Sequence, residues 1–167
     1  MIIMGVDPGY AITGYGVISE EGGRLKVLDF GVISTPPQTP FEQRLLSIFE
    51  GLEALIVRFK PRVMAVEELF FSSNKTTAIG TAQARGMALL AAARADIPVY
   101  EYTPMQVKKA VTGYGCAEKA QVQMMVRVLL GLRTVSRPDD AADALAVAIC
   151  QAHTGRLRGF EAVGGYQ

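Results

Sequence analysis

Ile2-Ile3-Met4-Gly5-Val6-Asp7-Pro8-Gly9 opens the chain as an apolar run that stops at an acidic residue and a turn, the pattern of a buried strand ending at Asp7. Thr13-Gly14-Tyr15-Gly16-Val17-Ile18 alternates as a second strand, Gly22-Gly23 marks the next turn, and Leu25 to Ser34 reads as a third strand. Three consecutive strands with connections this short predict an antiparallel meander.

Pro36, Pro37 and Pro40 close the meander. Phe41, Leu45, Ile48, Leu52, Leu55 (or Ile56) and Phe59 then recur at helical spacing up to Lys60-Pro61. Val63 to Val66 is a short apolar fourth strand ending in Glu67-Glu68. The Ala-rich segment 75–95 favours a helix, and Pro98 to Tyr102 reads as a fifth strand. Helices are expected over 104–112, 118–131 and 139–153, separated by Gly113-Tyr114-Gly115 and by Arg133 to Pro138. A meander followed by βαβ-type crossovers implies an α/β fold with one mixed five-stranded sheet and helices on both faces. This is the ribonuclease H-like arrangement.

The chain has 167 residues, half of them apolar and a fifth charged, enough for one well-buried core. Residues 1–155 are expected to form one domain, and the glycine-rich residues 156–167 a flexible C-terminal tail. The N-terminus lacks the basic lead of a signal peptide, no apolar run approaches the ~18 residues that span a bilayer, and Cys116 and Cys150 stand 34 residues apart without metal-type spacing. These features predict two reduced thiols and a cytoplasmic location. Net charge is +1, but residues 71–137 carry 9 Lys+Arg against 3 Asp+Glu, whereas 1–70 carry 6 against 9 and 138–167 carry 2 against 4. A basic middle between acidic ends suits a phosphate-binding surface around carboxylates that hold metal.

Four carboxylates stand out. Asp7 and Glu67 each end a buried strand, and Asp140 and Asp143 lie three apart on one helical face, inside a run of small and aliphatic residues. Asp139, at the helix start, suits an N-cap, and Glu68 points to the opposite strand face from Glu67. Converging carboxylates repel unless cations neutralise them. Mg²⁺ or Mn²⁺ prefers such hard oxygen ligands and keeps positions open for a phosphate, and two such ions about 3.5–4 Å apart promote in-line displacement.

The opening Asp7-Pro8-Gly9 and Thr13-Gly14-Tyr15-Gly16-Val17-Ile18 resemble the RuvC family of bacterial Holliday junction resolvases. The resemblance continues through Ala65-Val66-Glu67-Glu68-Leu69-Phe70, Gln83-Ala84-Arg85-Gly86, Tyr102, Gln106-Val107-Lys108, Gly113-Tyr114-Gly115, Ala117-Glu118-Lys119 and Asp140-Ala141-Ala142-Asp143-Ala144-Leu145-Ala146. It implies a homodimeric ribonuclease H-like nuclease that nicks two strands of a four-way DNA junction symmetrically, leaving 5′-phosphate and 3′-hydroxyl ends. It also implies Mg²⁺ as cofactor, two ions per site with Mn²⁺ able to substitute, and a branch-migration motor as partner in recombination and repair. The family's catalytic, metal-binding carboxylates fall on Asp7, Glu67, Asp140 and Asp143, its phosphate-proximal lysines on Lys108 and Lys119, and its junction-stacking phenylalanine on Phe70.

Each minor feature has a plainer reading. Phe70 fits a core position as well as an exposed stacking ring, and Lys108 and Lys119 fit an ordinary solvated surface. The small residues Ala78, Gly80, Ala82, Gly86 and Ala88 suit close packing on the sheet or on a second copy of the helix. His153 reads as structural or surface. The competing functions are a ribonuclease H-like nuclease acting on RNA–DNA hybrids or as a transposase, an actin-like ATPase, and a non-catalytic DNA-binding module. An ATPase of that kind needs a second, duplicated domain, for which 167 residues leave no room. In a DNA-binding module four converging carboxylates would have no purpose.

Overall fold

The computed structural model describes residues 1–69, 75–134 and 138–155. Strands β1 (Ile2–Asp7), β2 (Ile12–Glu21) and β3 (Arg24–Ser34) form the expected meander, followed by α1 (Phe41–Phe59), β4 (Val63–Glu67), α2 (Lys75–Arg94), β5 (Val99–Tyr102), α3 (Pro104–Thr112), α4 (Lys119–Leu129) and α5 (Asp139–Thr154). The strands join in one sheet in the order β3-β2-β1-β4-β5. β1 pairs antiparallel with β2 and parallel with β4, and β4 pairs parallel with β5, so the sheet is mixed.

Strand alternation sorts the side chains into two cores. Ile3, Val63, Ala65, Tyr100 and Tyr102 face α3, α4 and α5, burying Val107, Val111, Val122, Val126 and the apolar side of α5 from Leu145 to Ala152. Met4, Val6, Val17, Met64 and Val66 face the other way, against Ile48, Leu52 and Ile56 of α1 and Ala84, Ala88, Ala91 and Ala92 of α2. Helices therefore cover both faces. The small residues of α2 are used in part within the molecule: Ala84 and Ala88 are fully buried against this second core.

Two boundaries differ from expectation. β2 continues past Ile18 to Glu21, because Gly22 and Gly23, both at positive φ, make a tight turn that lets Glu20 and Glu21 pair with Leu25 and Arg24. Asp139 is not an N-cap. Pro138, with φ −68° and ψ 170°, occupies that position, and Asp139 becomes the first helical residue. The two cysteines are free thiols, Cys116 exposed and Cys150 buried. Among the described residues, no helix is long and apolar enough to cross a membrane. The expected tail, 156–167, lies outside the described residues.

Candidate active site

β1 and β4 run parallel with Val6 beside Val66, so their last residues, Asp7 and Glu67, emerge side by side at the same end of the sheet. Alternation puts Asp7 on the face of Ile3 and Gly5, and Glu67 on the face of Val63 and Ala65, which is the face covered by α5. Tyr102 pairs with Glu67 across β5, and its hydroxyl donates to the Gln151 Oε1 of α5 at 2.7 Å. The loop after Asp7 is tied down as well. The Thr13 hydroxyl donates to the Gly9 carbonyl at 2.7 Å, and that of Thr35 donates to the Tyr10 carbonyl at 2.5 Å while accepting from Arg44 Nε at 2.8 Å.

Glycines set how close α5 comes. A Cβ on Gly5 would lie 2.1 Å from the Ala144 carbonyl oxygen, one on Gly14 would lie 2.0 Å from that of Asp140, and one on Gly16 would lie 2.7 Å from the Leu145 side chain. The helix backbone thus rests directly on β1 and β2. Gly14 is also the residue paired with Asp7. The start of α5 is therefore fixed over the end of β1, with Asp140 at the contact and Asp143 one turn further along.

The electrostatics show the four carboxylates acting on one another. Burial, reinforced by the negative charges of Glu67, Asp143 and Asp140, pushes the Asp7 carboxyl up from 3.8 to about 7, with Lys119 opposing. Glu67 is raised by burial and then by Asp143, and lowered by Lys119 and Lys108. Asp143 is raised by burial, against a hydrogen bond from Lys119 Nζ to its Oδ2 at 3.0 Å. Lys119 Nζ also lies 3.5 Å from Asp139 Oδ2, and its own proton is held more firmly than usual, burial being outweighed by its bonds to Asp143 and Asp139.

Asp7, Glu67, Asp140, Asp143 and Lys119 are thus brought together, and Lys108 of α3 is near enough for its charge to stabilise the Glu67 carboxylate. Phe70 lies outside the described residues. Among the described residues no group of three or more acidic, imidazole or thiol side chains forms a ready-made metal site. The donor chemistry fits a hard divalent cation: carboxylate oxygens only, in negative excess, with ionised Asp7 disfavoured first by burial and then by its acidic neighbours. Sequence reasoning misses two contributors, the glycines facing α5 and Asp139 as a partner of Lys119. Gly14 and Gly16, two apart in a strand, carry a usable signal, since strand glycines mark close backbone approach. His153 is exposed, with Nδ1 3.0 Å from the Ala110 carbonyl, and plays a structural part. A groove lined by Met1, Ser19, Glu21, Arg24, Lys26 and Leu28 lies toward the opposite end of the strands and holds none of the candidate residues.

Comparison with known proteins shows the family to which the chain belongs. The family model "Crossover junction endodeoxyribonuclease RuvC" matches residues 3–151. The crossover junction endodeoxyribonuclease RuvC of Desulfitobacterium hafniense is 56% identical over 157 residues, 94% of this chain and 95% of that protein. The solved structure of T. thermophilus RuvC in complex with Holliday junction substrate superposes with a TM-score of 0.90 at 40% identity, covering 94% of this chain and 96% of that one. The yeast mitochondrial Holliday junction resolvase, at 12% identity and TM-score 0.63 over 90% of this chain and 78% of that one, shares the fold. With the sheet order, the paired strand-end carboxylates and α5 seated on its glycines, these matches make the chain a member of the RuvC family of crossover junction endodeoxyribonucleases, built on the ribonuclease H-like fold.

Proposed function

We propose that this protein resolves four-way DNA junctions by paired symmetric nicks, with Asp7, Glu67, Asp140 and Asp143 holding two Mg²⁺ ions, Mn²⁺ being able to substitute. The observation that carries the reading is the convergence of two strand-end carboxylates with the acidic first turns of α5, under burial and mutual repulsion strong enough to bring Asp7 to about 7. Held by these four carboxylates, the cations would supply Lewis acidity, stabilising charge that develops on the phosphate and making an attacking water easier to deprotonate. The reaction is hydrolysis: a water oxygen bonds to phosphorus, the P–O3′ bond breaks, and the departing oxygen takes up a proton, leaving 5′-phosphate and 3′-hydroxyl ends.

The chain's own groups do the positioning. Lys119 and Lys108 place positive charge beside the cluster, where a scissile phosphate gains most from it. Lys108→Ala and Lys119→Ala are expected to slow cleavage more than they weaken junction binding. Phe70, three residues beyond Glu67, stacks on a base displaced at the junction centre, a contact worth ~1–3 kcal/mol. Phe70→Ala should then slow cleavage of fully paired junctions and spare those with unpaired bases at the crossover. Equal loss on both substrates together with a lowered melting temperature would make Phe70 a core residue.

Two symmetric nicks require two active sites, and α2 offers a surface for a second copy. Ile79 and Leu90 are exposed, and a methyl group placed on Gly86, between them, would meet no atom within 4 Å; the three share one helical stripe. A homodimer through α2 accounts for this face. The same reading places the protein in the cytoplasm, in recombination and repair, alongside a branch-migration motor. Cleavage of a synthetic four-way junction, linear duplex and RNA–DNA hybrid, each with and without Mg²⁺, tests the assignment. The expected result is Mg²⁺-dependent cutting of the junction alone, at symmetric positions, while preferential cutting of the hybrid would favour a ribonuclease H activity.

A further inference from the structure

Lys119 is in an unexpected place. It is the first residue of α4, where the positive end of the helix dipole disfavours a cation. Its position is explained across the interface with α5: Nζ lies 3.0 Å from Asp143 Oδ2 and 3.5 Å from Asp139 Oδ2. Asp139 and Asp143 are four residues apart and hence neighbours on one helix face, and the ammonium bridges them. Asp140, on the same turn, makes no contact with it among the ion pairs of the described residues.

A metal ion bound to Asp143 must therefore share or take the carboxylate that Lys119 holds, and the two cations repel. Asp139 offers a second seat, already within ion-pair distance and at a helix N-terminus that favours its negative charge. We propose that Lys119 and the metal compete for Asp143, and that Asp139 is the positioning residue to which Lys119 withdraws when metal binds. This rests on the reading of Asp143 as a metal ligand. Withdrawal by one helical turn keeps the ammonium beside the cluster, where the phosphate arrives, and removes it from the ligand. Asp139 would then favour metal loading without touching metal.

The test is Mn²⁺ binding to the full-length, metal-free protein without DNA, followed by the electron paramagnetic resonance of free Mn²⁺. The variants are Lys119→Met, which keeps the apolar stem, Asp139→Asn, the double variant, and Asp143→Asn. The Lys119 and Asp139 side chains are 56% and 59% exposed, so these substitutions leave the fold intact. Lys119→Met should bind Mn²⁺ about tenfold more tightly than wild type, the scale of a lost competing ion pair with added Coulomb repulsion. Asp139→Asn should weaken binding about threefold in the wild-type background and not at all in the Lys119→Met background. Equal weakening in both backgrounds would mean that Asp139 acts on the metal directly through its charge, and would overturn the proposal, as would unchanged affinity in Lys119→Met. If Asp143→Asn binds Mn²⁺ as well as wild type does, the metal-site reading itself fails, a result distinct from either.

Discussion

Gly14 lies directly beneath Asp140: a methyl group on Gly14 would sit 2.0 Å from the Asp140 carbonyl oxygen. The contact is backbone against backbone, so no side-chain rotation relieves it, and Gly14 is also the strand partner of Asp7. Gly14→Ala must lift the start of α5 from the sheet, separating Asp140 from Asp7. The expected cost is ~1–3 kcal/mol of stability, in the range of overpacked cores, with cleavage falling further than junction binding. Gly86→Ala is the contrast. In a monomeric Leu90→Glu background, where no partner covers α2, it fills open space and should change stability by roughly +0.5–1 kcal/mol. Thermal melting and cleavage rates for the two variants decide it, and a Gly14→Ala protein with wild-type stability would contradict the account of α5 seating.

Metal-free protein should lose stability as the pH rises through the Asp7 titration. The folded state raises this carboxyl from 3.8 to about 7, chiefly by burial and then by Glu67, Asp143 and Asp140. The folded chain therefore binds the proton more tightly than the unfolded chain does. The stabilising contribution is fully present below about pH 4 and is lost by about pH 7. Asp7→Asn removes the titration, so in EDTA the variant should melt above wild type at pH 8, by a margin that closes toward pH 4. Saturating Mg²⁺ should reverse the order at pH 8. A margin independent of pH would show that the Asp7 carboxyl is not destabilised.

Much of this is legible in the sequence. The spacing of Phe41, Leu45, Ile48, Leu52, Leu55 (or Ile56) and Phe59, stopped by Lys60-Pro61, locates α1, because an amphipathic period and a helix breaker are both local signals. The structure buries Ile56 and makes Lys60 the C-cap. Asp7 and Glu67 stand out because each closes an apolar strand, although Asp7 alone could serve an Asp-Pro-Gly turn, and the three-residue spacing of Asp140 and Asp143 gives their shared face. What local rules do not supply comes from packing between distant elements. Asp139 reads as an N-cap by its place after a proline. Yet Pro138 takes the cap position itself, and the side chain of Asp139 turns to a lysine twenty residues earlier in the chain. Gly14 and Gly16 lower the strand propensity of β2, and their use appears only when a helix more than a hundred residues later lies across them. The end of β2 is hidden because Ser19, Glu20 and Glu21 carry no apolar alternation; pairing through the Gly22-Gly23 turn extends it.

Leu90 is 52% exposed and Ile79 62% exposed on the outer stripe of α2. A charge there has no effect on the monomer core but is costly inside an apolar helix–helix contact. Leu90→Glu should therefore yield a monomer by analytical ultracentrifugation, with thermal stability limited only by loss of the partner. A monomer retains single-strand nicking at most and loses paired cutting within one junction-binding event. A wild-type dimer in the Leu90→Glu variant would move the interface elsewhere.

Junction affinity should depend steeply on salt. Residues 71–137 carry a net +6, and each phosphate neutralised releases counterions, with a slope near −0.9 per contact for duplex DNA. Lys109, exposed and next to Lys108, should lower the slope by about one when replaced by Ala. An affinity insensitive to salt would remove the phosphate-binding role of this segment.

If Asp7, Glu67, Asp140 and Asp143, and not their neighbours, make the cutting site, their amide variants should lose cleavage and keep junction binding. The most direct measurement compares Mg²⁺-dependent cleavage and metal-free binding of one four-way junction by Asp7→Asn, Glu67→Gln, Asp140→Asn, Asp143→Asn and Asp139→Asn. Each amide removes a negative ligand and almost no volume, so the first four should bind the junction about as well as wild type and fail to cut it. Asp139→Asn should cut, reaching the wild-type rate once Mg²⁺ is raised. Full cleavage by Asp140→Asn with none by Asp139→Asn would contradict the assignment, and cleavage by Asp7→Asn or Glu67→Gln would remove the metal site from the strand ends altogether.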